Sequence, residues 1–199
     1  MPSRSSRTGH PRTARRGSAD PLRIRRYRPG DRAFYARSIE RLQDHLRALD
    51  RTGMVQRPPG FGARYARVAL PLIRRYHGRI LIAERDGRPV GFVAAYVRPR
   101  NRMRDLELRP GRHGFVMDLY VAPSVRGQGI GTALLRAAEG FLAERGCVRL
   151  FLDVFAPNGR AHSLYRRLGY TDFGILMTAA VARPRATDRS RRYSGRSSK

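Results

Sequence analysis

Apolar side chains recur along the first half of the chain at helical and strand-like spacings. These spacings predict, in order, a strand at 22–25, a helix from Asp31 to Gly53, a weaker helix at 62–76, and strands at 79–84 and 89–97. Asp86 and Gly87 separate the last two strands, and an Asp-Gly pair between apolar runs favours a tight hairpin turn. The first half therefore predicts a strand, two helices and a hairpin.

The second half begins with polar residues 98–113, which indicate an irregular loop. The following pattern predicts a strand at 115–121, a glycine-rich turn, a helix from Ile130 to Gly146, a strand at 148–155, a short helix at 158–168 and a last strand at 173–181. Together the two halves predict a mixed α/β domain whose glycine-rich turn joins the fourth strand to the third helix.

The two ends of the chain lack this apolar pattern. Residues 1–20 and 183–199 consist mostly of Arg, Ser, Pro, Gly and Thr. Such segments bury too little apolar surface to offset the entropy lost on ordering. We therefore expect disordered basic tails at 1–20 and 183–199 around one domain at 21–182.

The chain is strongly basic, with 42 Lys and Arg against 15 Asp and Glu and a formal net charge of +27. Residues 1–19 carry +5 and residues 183–199 carry +6, so the remainder is itself basic at +16. A field of this sign attracts polyanions. Nucleic acid and a phosphorylated cosubstrate are both candidates.

Cysteine and histidine positions exclude several kinds of site. Cys147 is the single cysteine, so neither an internal disulfide nor a cysteine-ligated zinc site can form, and a reducing, cytoplasmic compartment fits. No pair of histidines has metal-ligand spacing, so no metal is expected. No uncharged stretch approaches the roughly 20 residues that span a bilayer, so we expect no membrane partner.

Three glycines stand at alternate positions where the third helix begins: Gly127, Gly129 and Gly131. Backbone without Cβ atoms can approach a ligand closely, and the free amides of a helix N-terminus attract a phosphate. The run matches neither the Walker loop nor the GxGxxG dinucleotide fingerprint. The alternative is a tight turn that permits close helix packing.

Two motifs in the second half resemble those of a known family. Residues 119–131 read Leu-Tyr-Val-Ala-Pro-Ser-Val-Arg-Gly-Gln-Gly-Ile-Gly. This run resembles the acetyl-CoA signature of the GNAT superfamily of N-acetyltransferases, whose core element is Arg/Gln-x-x-Gly-x-Gly/Ala. Residues 158–170 contain Asn-x-x-Ala-x-x-Leu-Tyr and close with Gly-Tyr, which resembles the next helix of the family. The resemblance is tight over 115–170 and looser back to Leu22.

The resemblance implies a fold and a cosubstrate. The fold is a mixed, mostly antiparallel central sheet flanked by about four helices and splayed between its fourth and fifth strands. The cosubstrate is acetyl-CoA, without a metal. The residues that the resemblance places against CoA are the backbone of Leu119, Tyr120 and Val121 for the pantetheine arm, the loop of Arg126, Gly127, Gln128, Gly129, Ile130 and Gly131 for the pyrophosphate, and Asn158 and Tyr165.

Acyl transfer from a thioester needs a proton for the departing thiolate, whose pKa of about 8.5 makes a weak acid sufficient. Tyr165 is the candidate acid, because the family tyrosine at this position faces the CoA sulfur. The alternative is a core tyrosine that packs beside Leu164 and Leu168. Asn158 is explained equally well as the N-cap of the short helix.

The amine must lose a proton, and two carboxylates are candidate bases. Asp153 interrupts the apolar run 150–155, and Asp118 lies in the neighbouring strand. A carboxylate among apolar neighbours should have a raised pKa, which suits a general base. The alternative for each is a structural carboxylate paired with one of the many arginines.

These patterns predict an N-acetyltransferase, a monomer or homodimer, that moves acetyl directly from acetyl-CoA to a primary amine of a peptide, protein or small molecule. Arginines in segment 98–112 argue against polycationic acceptors. The alternative function is a basic nucleic-acid-associated protein with a catalytically weak acetyltransferase-like domain. Its basic tails would then make nonspecific nucleic-acid contacts.

Overall fold

Strands and helices alternate through the described part of the chain, which is residues 21–181 of a computed structural model. The strands are β1 (Arg23–Arg26), β2 (Arg79–Arg85), β3 (Arg88–Val97), β4 (Arg112–Val121) and β5 (Cys147–Leu152). The helices are α1 (Arg32–Leu49), α2 (Phe61–Arg75), α3 (Arg102–Glu107), α4 (Ile130–Ala143) and α5 (Gly159–Arg167). One sheet contains all five of these strands, in the order β1-β2-β3-β4-β5.

The sheet is mixed and mostly antiparallel, as the resemblance implied. Neighbours from β1 to β4 pair antiparallel, and β5 pairs parallel with β4. Between β2 and β3, Asp86 has a φ of 49° and Gly87 a φ of 68°. Positive φ at both central residues is typical of a type I′ hairpin turn, so the hairpin prediction is confirmed.

Helices cover both faces of the sheet. Helices α1 and α2 pack on one face over a core that includes Tyr35, Ile39, Ala66, Phe92 and Tyr120. Helices α4 and α5 pack on the other face, where Leu134, Leu135, Phe141 and Tyr165 belong to the core. Burying a large apolar side chain contributes about 1.5–3 kcal/mol, so both layers stabilise the domain. We refer to these surfaces as the α1–α2 face and the α4–α5 face.

Strands β4 and β5 separate partway along their length. Their paired residues run from Arg112 opposite Cys147 to Val116 opposite Leu152. Residues 117–121 of β4 continue to pair with β3, but on the β5 side they have no partner strand among the described residues. The predicted separation of the fourth and fifth strands is therefore confirmed.

Two boundaries differ from the sequence prediction because local side chains satisfy the backbone in another way. Helix α1 ends at Leu49 instead of continuing to Gly53. The carboxylate of Asp50 accepts the N–H groups of Thr52 and Val55, at 2.8 and 2.6 Å, and so forms a turn. The predicted loop at 98–113 contains the short helix α3, which Asn101 caps by accepting the N–H of Arg104 at 3.1 Å.

The predicted last strand at 173–181 is wrong, since these residues form no regular secondary structure. Their apolar side chains lie largely in solvent, with Phe173 74% and Leu176 99% exposed. A run of apolar residues has high strand propensity, but a strand also needs a neighbour that pairs with its backbone. The segment has no such neighbour within the described chain.

Both predicted tails, 1–20 and 183–199, lie outside the described residues, as does position 182 at the end of the predicted domain. Within residues 21–181, no helix combines the length and the apolar character needed to cross a membrane.

Candidate active site

The glycine-rich turn leads directly into the N-terminus of α4. Gly127 and Gly129 have φ values of 82° and 77°, in the left-handed region that other residues rarely adopt. A Cβ atom added at either glycine would meet no protein atom within 4 Å. The space above both residues is therefore open, and the first amides of α4 face it without intrahelical partners. This arrangement suits an anionic group such as a pyrophosphate.

Gly131 has a different role from the first two glycines. A Cβ atom there would lie 3.3 Å from Cδ2 of Leu164 in α5. The absence of a side chain at Gly131 therefore permits α4 and α5 to pack closely. This is the role that the sequence offered as the alternative to ligand binding. Ile130 between the glycines is buried, so its side chain belongs to the core and only its backbone faces the loop.

Guanidinium groups surround the glycine-rich turn. Arg126 is half-buried, and its Nε donates to the carbonyl oxygen of Val121 at 3.0 Å. The side chain of Gln128 accepts a hydrogen bond from Arg85 of β2. Arg85 and Arg88 line a cavity of about 300 Å³ beside this turn. A phosphorylated ligand in the turn would meet positive charge from β2 and β3 as well as from the loop.

Residues 119–121 lie where β4 has separated from β5. The side chain of Tyr120 is buried on the α1–α2 face, whereas Leu119 and Val121 pack on the α4–α5 face. Their backbone groups on the β5 side are not part of the sheet. An extended ligand with amide groups could therefore pair with them as a neighbouring strand would.

Helix α5 carries Asn158 and Tyr165. The side chain of Asn158 accepts the N–H of Ala161 at 3.2 Å, so the predicted N-cap is confirmed. Tyr165 is 9% exposed and packs on the α4–α5 face. Burial raises its pKa to about 12, which keeps the hydroxyl protonated at neutral pH. The described residues offer this hydroxyl no hydrogen-bond partner, so it remains available to a ligand.

Asp118 is a buried carboxylate in the separated part of β4. Tyr65 of α2 donates its hydroxyl to this carboxylate, 3.0 Å from both oxygens. Burial raises the pKa of Asp118 to about 6, and the Tyr65 hydroxyl limits that rise. No arginine of residues 21–181 forms an ion pair with it. A carboxylate with this pKa is mostly ionised at neutral pH but still basic, as general-base catalysis requires.

Two buried hydroxyls accompany Asp118 on the α1–α2 face. Those of Tyr35 and Tyr120 make no hydrogen bond of good geometry among the described residues, although Tyr35 interacts with Asp118 and Tyr120 with Arg41 at longer range. The pKa of Tyr35 is raised by burial and by the negative charge of Asp118. Asp118, Tyr65, Tyr35 and Tyr120 thus form a polar cluster within an otherwise apolar layer, which suits a site for a polar ligand.

Asp153 does not lie in the environment that the sequence predicted. Strand β5 ends at Leu152 instead of continuing through Phe155, so Asp153 follows the strand and is exposed. It forms no ion pair with an arginine of the described chain. The structure thus places one candidate base, Asp118, inside the protein and the other at its surface.

Sequence reasoning missed Tyr65 and Tyr35. Tyr65 lies four residues after Phe61 and four before Ala69, on the buried side of α2. A tyrosine at a core-facing helical position signals a hydroxyl that needs a polar partner. That signal was present in the sequence, but the partner is 53 residues away and only the fold reveals it.

No group of three or more potential metal ligands occurs within residues 21–181. The site is therefore described by its glycine-rich turn, Asp118, Tyr165 and the gap between β4 and β5.

Three known proteins are similar to the chain. It is 34% identical over 87 residues to aminoglycoside N(6')-acetyltransferase type 1 of Klebsiella aerogenes, covering 44% of this chain and 55% of that protein. It is 37% identical over 90 residues to streptothricin acetyltransferase of Streptomyces lavendulae, covering 45% and 42%. The matched region thus spans about half the length of these relatives. The aminoglycoside N-acetyltransferase AAC(6')-Iy, solved with CoA, superposes with a TM-score of 0.63 at 18% identity, covering 85% of this chain and 99% of that one.

The last comparison concerns the family as a whole. The model of the acetyltransferase (GNAT) family matches residues 43–170. This region includes the glycine-rich turn, both candidate bases and α5, and it makes up more than half of the chain. The chain therefore belongs to the acetyltransferase (GNAT) family.

Proposed function

We propose that the chain is an acetyl-CoA-dependent N-acetyltransferase that moves the acetyl group directly to a primary amine. One observation supports the proposal: a buried carboxylate in the separated part of β4 and a tyrosine hydroxyl on α5 lie on opposite faces of the sheet. Asp118 faces α2 through its bond with Tyr65, and Tyr165 packs on the α4–α5 face. A thioester in the gap between β4 and β5 would have the base on one side and the acid on the other.

The chemistry assigns one step to each residue. Asp118 accepts a proton from the incoming ammonium group, which frees the nitrogen lone pair. The nitrogen then bonds to the thioester carbonyl carbon and loses its second proton to water, the carbon–sulfur bond breaks, and Tyr165 donates its proton to the departing sulfur. Solvent returns the proton to Tyr165 and removes the proton from Asp118. Both residues end in their starting states, as a catalyst requires.

The glycine-rich turn fits the phosphorylated part of the cosubstrate. Gly127 and Gly129 leave open space above the first amides of α4, and Arg126 supplies positive charge. The backbone of 119–121 has no partner strand on the β5 side and, apart from the Val121 carbonyl that accepts from Arg126, suits the amides of the pantetheine arm. The amide nitrogen of Asn158 remains for CoA, since its capping bond uses the side-chain oxygen. These contacts would hold acetyl-CoA with its thioester between Asp118 and Tyr165.

The names of the two relatives support an amine acceptor, because aminoglycosides and streptothricin both carry amino groups. The shared region does not decide which amine this chain acetylates.

Tyr165→Phe tests the assignment of the acid. The change keeps the packing of the ring and removes only the hydroxyl, so we expect kcat to fall about 10- to 10³-fold. The KM for acetyl-CoA and the Tm should change little. Steady-state kinetics of thiol release, with thermal unfolding of the same samples, would measure all three.

Tyr170→Phe is the matched control for that experiment. Its hydroxyl donates to Glu139 at 2.9 Å, and its ring contacts Tyr165 at 5.9 Å between centroids. Removing this hydroxyl should lower the Tm slightly and leave kcat near wild type. A Tyr165→Phe variant that lost stability but retained its kcat would show that Tyr165 is a core residue only.

Deleting residues 1–19 and 183–199 tests the alternative function. The deletion removes a net charge of +11 and few apolar side chains, so Tm and kcat/KM should stay close to wild type. Any salt-sensitive DNA affinity should largely disappear. A tailless protein that lost its turnover would show that a tail contributes to the site. Tight DNA binding by full-length protein without thermal stabilisation by CoA would favour the nucleic-acid function.

A further inference from the structure

A second and larger cavity lies at the beginning of β4, away from the glycine-rich turn. Its volume is about 690 Å³, and the segment after β3, helix α3 and the end of α4 contribute to its lining. The arginines that line it are Arg98, Arg100, Arg104, Arg109, Arg112 and Arg145. Asp105 is the one carboxylate among the lining residues, and it pairs with Arg100 at 3.1 Å. The lining of this arginine cavity therefore has a large excess of positive charge.

Arg98 shows most clearly that this charge is not balanced within the described protein. Its guanidinium carbon lies 5.1 and 5.0 Å from the ring centroids of Phe115 and Phe151. No carboxylate of residues 21–181 lies within ion-pair distance of it. Burial lowers the pKa of Arg98 and the positive charge of Arg104 lowers it further, whereas the negative charge of Asp153 partly opposes this shift. The structure thus holds a half-buried cation over two rings, with no carboxylate of residues 21–181 at ion-pair distance and only the longer-range charge of Asp153 to balance it.

Arg145 gives a second, independent sign of an absent partner. Its Nε atom is buried and has no hydrogen-bond partner in the described chain. Its guanidinium carbon lies 4.6 Å from the ring centroid of Phe141, which holds the group in place. Fixed guanidinium groups with unused donors are the usual recognition elements for carboxylates and phosphates.

Aromatic side chains lie between Arg98 of the arginine cavity and the face of the sheet that carries the candidate base. Tyr96 contacts Phe115 at 5.5 Å between centroids, and Tyr96 packs on the α1–α2 face, as Asp118 does. Phe115 precedes Asp118 by three residues on β4, and because Met117 forms a bulge opposite β3 the separation is no more than the roughly 10 Å of a regular strand. A ligand that spans this distance would reach both Asp118 and Arg98.

We propose that the arginine cavity binds an anionic group of the amine acceptor, so that the substrate carries a carboxylate or phosphate about 10 Å from the amine that is acetylated. This substrate class rests on the proposed function. The anionic group would pair with Arg98 while the amine lies at Asp118. Polycationic amines would be repelled by the same arginines.

Matched acceptors test the proposal. Triglycine and triglycine amide have the same length, about 10 Å when extended, but only triglycine has a terminal carboxylate. The pair 6-aminohexyl phosphate and 6-amino-1-hexanol makes the same comparison for a phosphate. We expect kcat/KM to be at least about tenfold higher for the anionic member of one or both pairs, a ratio typical of a charged hydrogen bond. The pair with the larger ratio identifies the preferred anion.

Variants test whether the arginine cavity causes the higher kcat/KM for the anionic acceptors. Arg98→Gln should reduce the ratio to near one. Arg109→Ala should reduce this ratio in part, because Arg109 is an exposed side chain that lines the cavity. Arg37→Ala removes an exposed arginine from α1 and should leave the ratio unchanged. An equal kcat/KM for both members of each pair, or a ratio that survives Arg98→Gln, would overturn the proposal while the acetyltransferase activity stands.

A binding measurement separates this proposal from the proposed function. If no amine in the panel were acetylated, the proposed function would fail, and the cavity would be judged by calorimetric titration of inorganic pyrophosphate into protein saturated with CoA. Binding that Arg98→Gln weakens at least about tenfold would support the anion site. No binding, or equal binding by both proteins, would exclude it.

Discussion

Asp118→Asn should lower kcat/KM about 10²- to 10⁴-fold, the range expected when a general base is lost. The amide oxygen of asparagine can still accept the hydroxyl of Tyr65, so the contact between β4 and α2 should survive. Affinity for CoA should also survive, because the glycine-rich turn is unchanged. Turnover of an amine acceptor and thermal stabilisation by CoA would measure the two effects separately.

The raised pKa of Asp118 also predicts how kcat/KM and stability depend on pH in wild type and in this variant. Only the ionised carboxylate can accept a proton, so wild-type kcat/KM should fall as the pH drops below about 6. Burial raises this pKa from its ordinary value of 3.8, so folding favours the protonated form. Its contribution to stability is therefore greatest below pH 3.8 and is lost as the pH rises through 6.

It follows that Asp118→Asn should unfold at a higher urea concentration than wild type at pH 8. Its free energy of unfolding should exceed that of wild type by roughly 2–3 kcal/mol. The difference should shrink toward pH 4, where the wild-type carboxylate is protonated as well. A protein that gains stability while losing activity is expected of a catalytic carboxylate and not of one that holds the fold together.

Asp153→Asn is the control, because this carboxylate is exposed beyond the end of β5. For Asp153→Asn, kcat/KM should still fall as the pH drops below about 6, as it does in wild type. If Asp153→Asn lost this fall in kcat/KM and Asp118→Asn kept it, the base would have to be reassigned to Asp153. If both variants kept it, the amine would lose its proton through water or bind in its neutral form.

Gly129→Val should abolish the thermal stabilisation that CoA gives to wild type. At a CoA concentration of about 100 times Kd, wild type should gain about 2.7 kcal/mol, or several degrees in Tm. A valine side chain would fill the open space above the α4 amides and displace the pyrophosphate. Differential scanning fluorimetry with and without CoA would show the loss.

The left-handed backbone of Gly129 will itself make valine destabilising, by roughly 1–3 kcal/mol. Gly146→Val controls for this cost, because Gly146 has a φ of 72°, meets no atom within 4 Å and lies at the other end of α4. Both variants should lose similar stability, but Gly146→Val should keep its full response to CoA. An equal response in the two variants would remove the turn from the cosubstrate site.

Patterns that depend on neighbours in the sequence predicted the fold well. The Asp86-Gly87 turn, the amphipathic α4 and the capping role of Asn158 all depend on contacts within a few residues, and all are confirmed. The strand at 173–181 failed because strand formation depends on a partner that the local pattern does not reveal. The different roles of the glycines could be assigned only from the structure, because Gly131 packs against α5 whereas Gly129 faces open space.

The candidate site was predicted in outline but not in its distant contacts. Sequence alone could not choose between Asp118 and Asp153, because both interrupt apolar strands and the choice depends on where β5 ends. The pairing of Tyr65 with Asp118 and the stacking of Arg98 between two rings join residues far apart in the chain. Such contacts follow from the register of the sheet and the position of α2, which periodicity does not determine.

The separation of β4 and β5 beyond Val116 also affects how stability is distributed over the domain. In the described chain α5 follows the end of β5 after a short linker, and Tyr165 is its one fully buried residue. Elements with so little burial open locally at a small fraction of the global unfolding free energy. A molecule bound in the gap would contact both β4 and α5, and would join them into one cooperative unit. Binding would thus stabilise α5 against local unfolding as well as supply the reacting group.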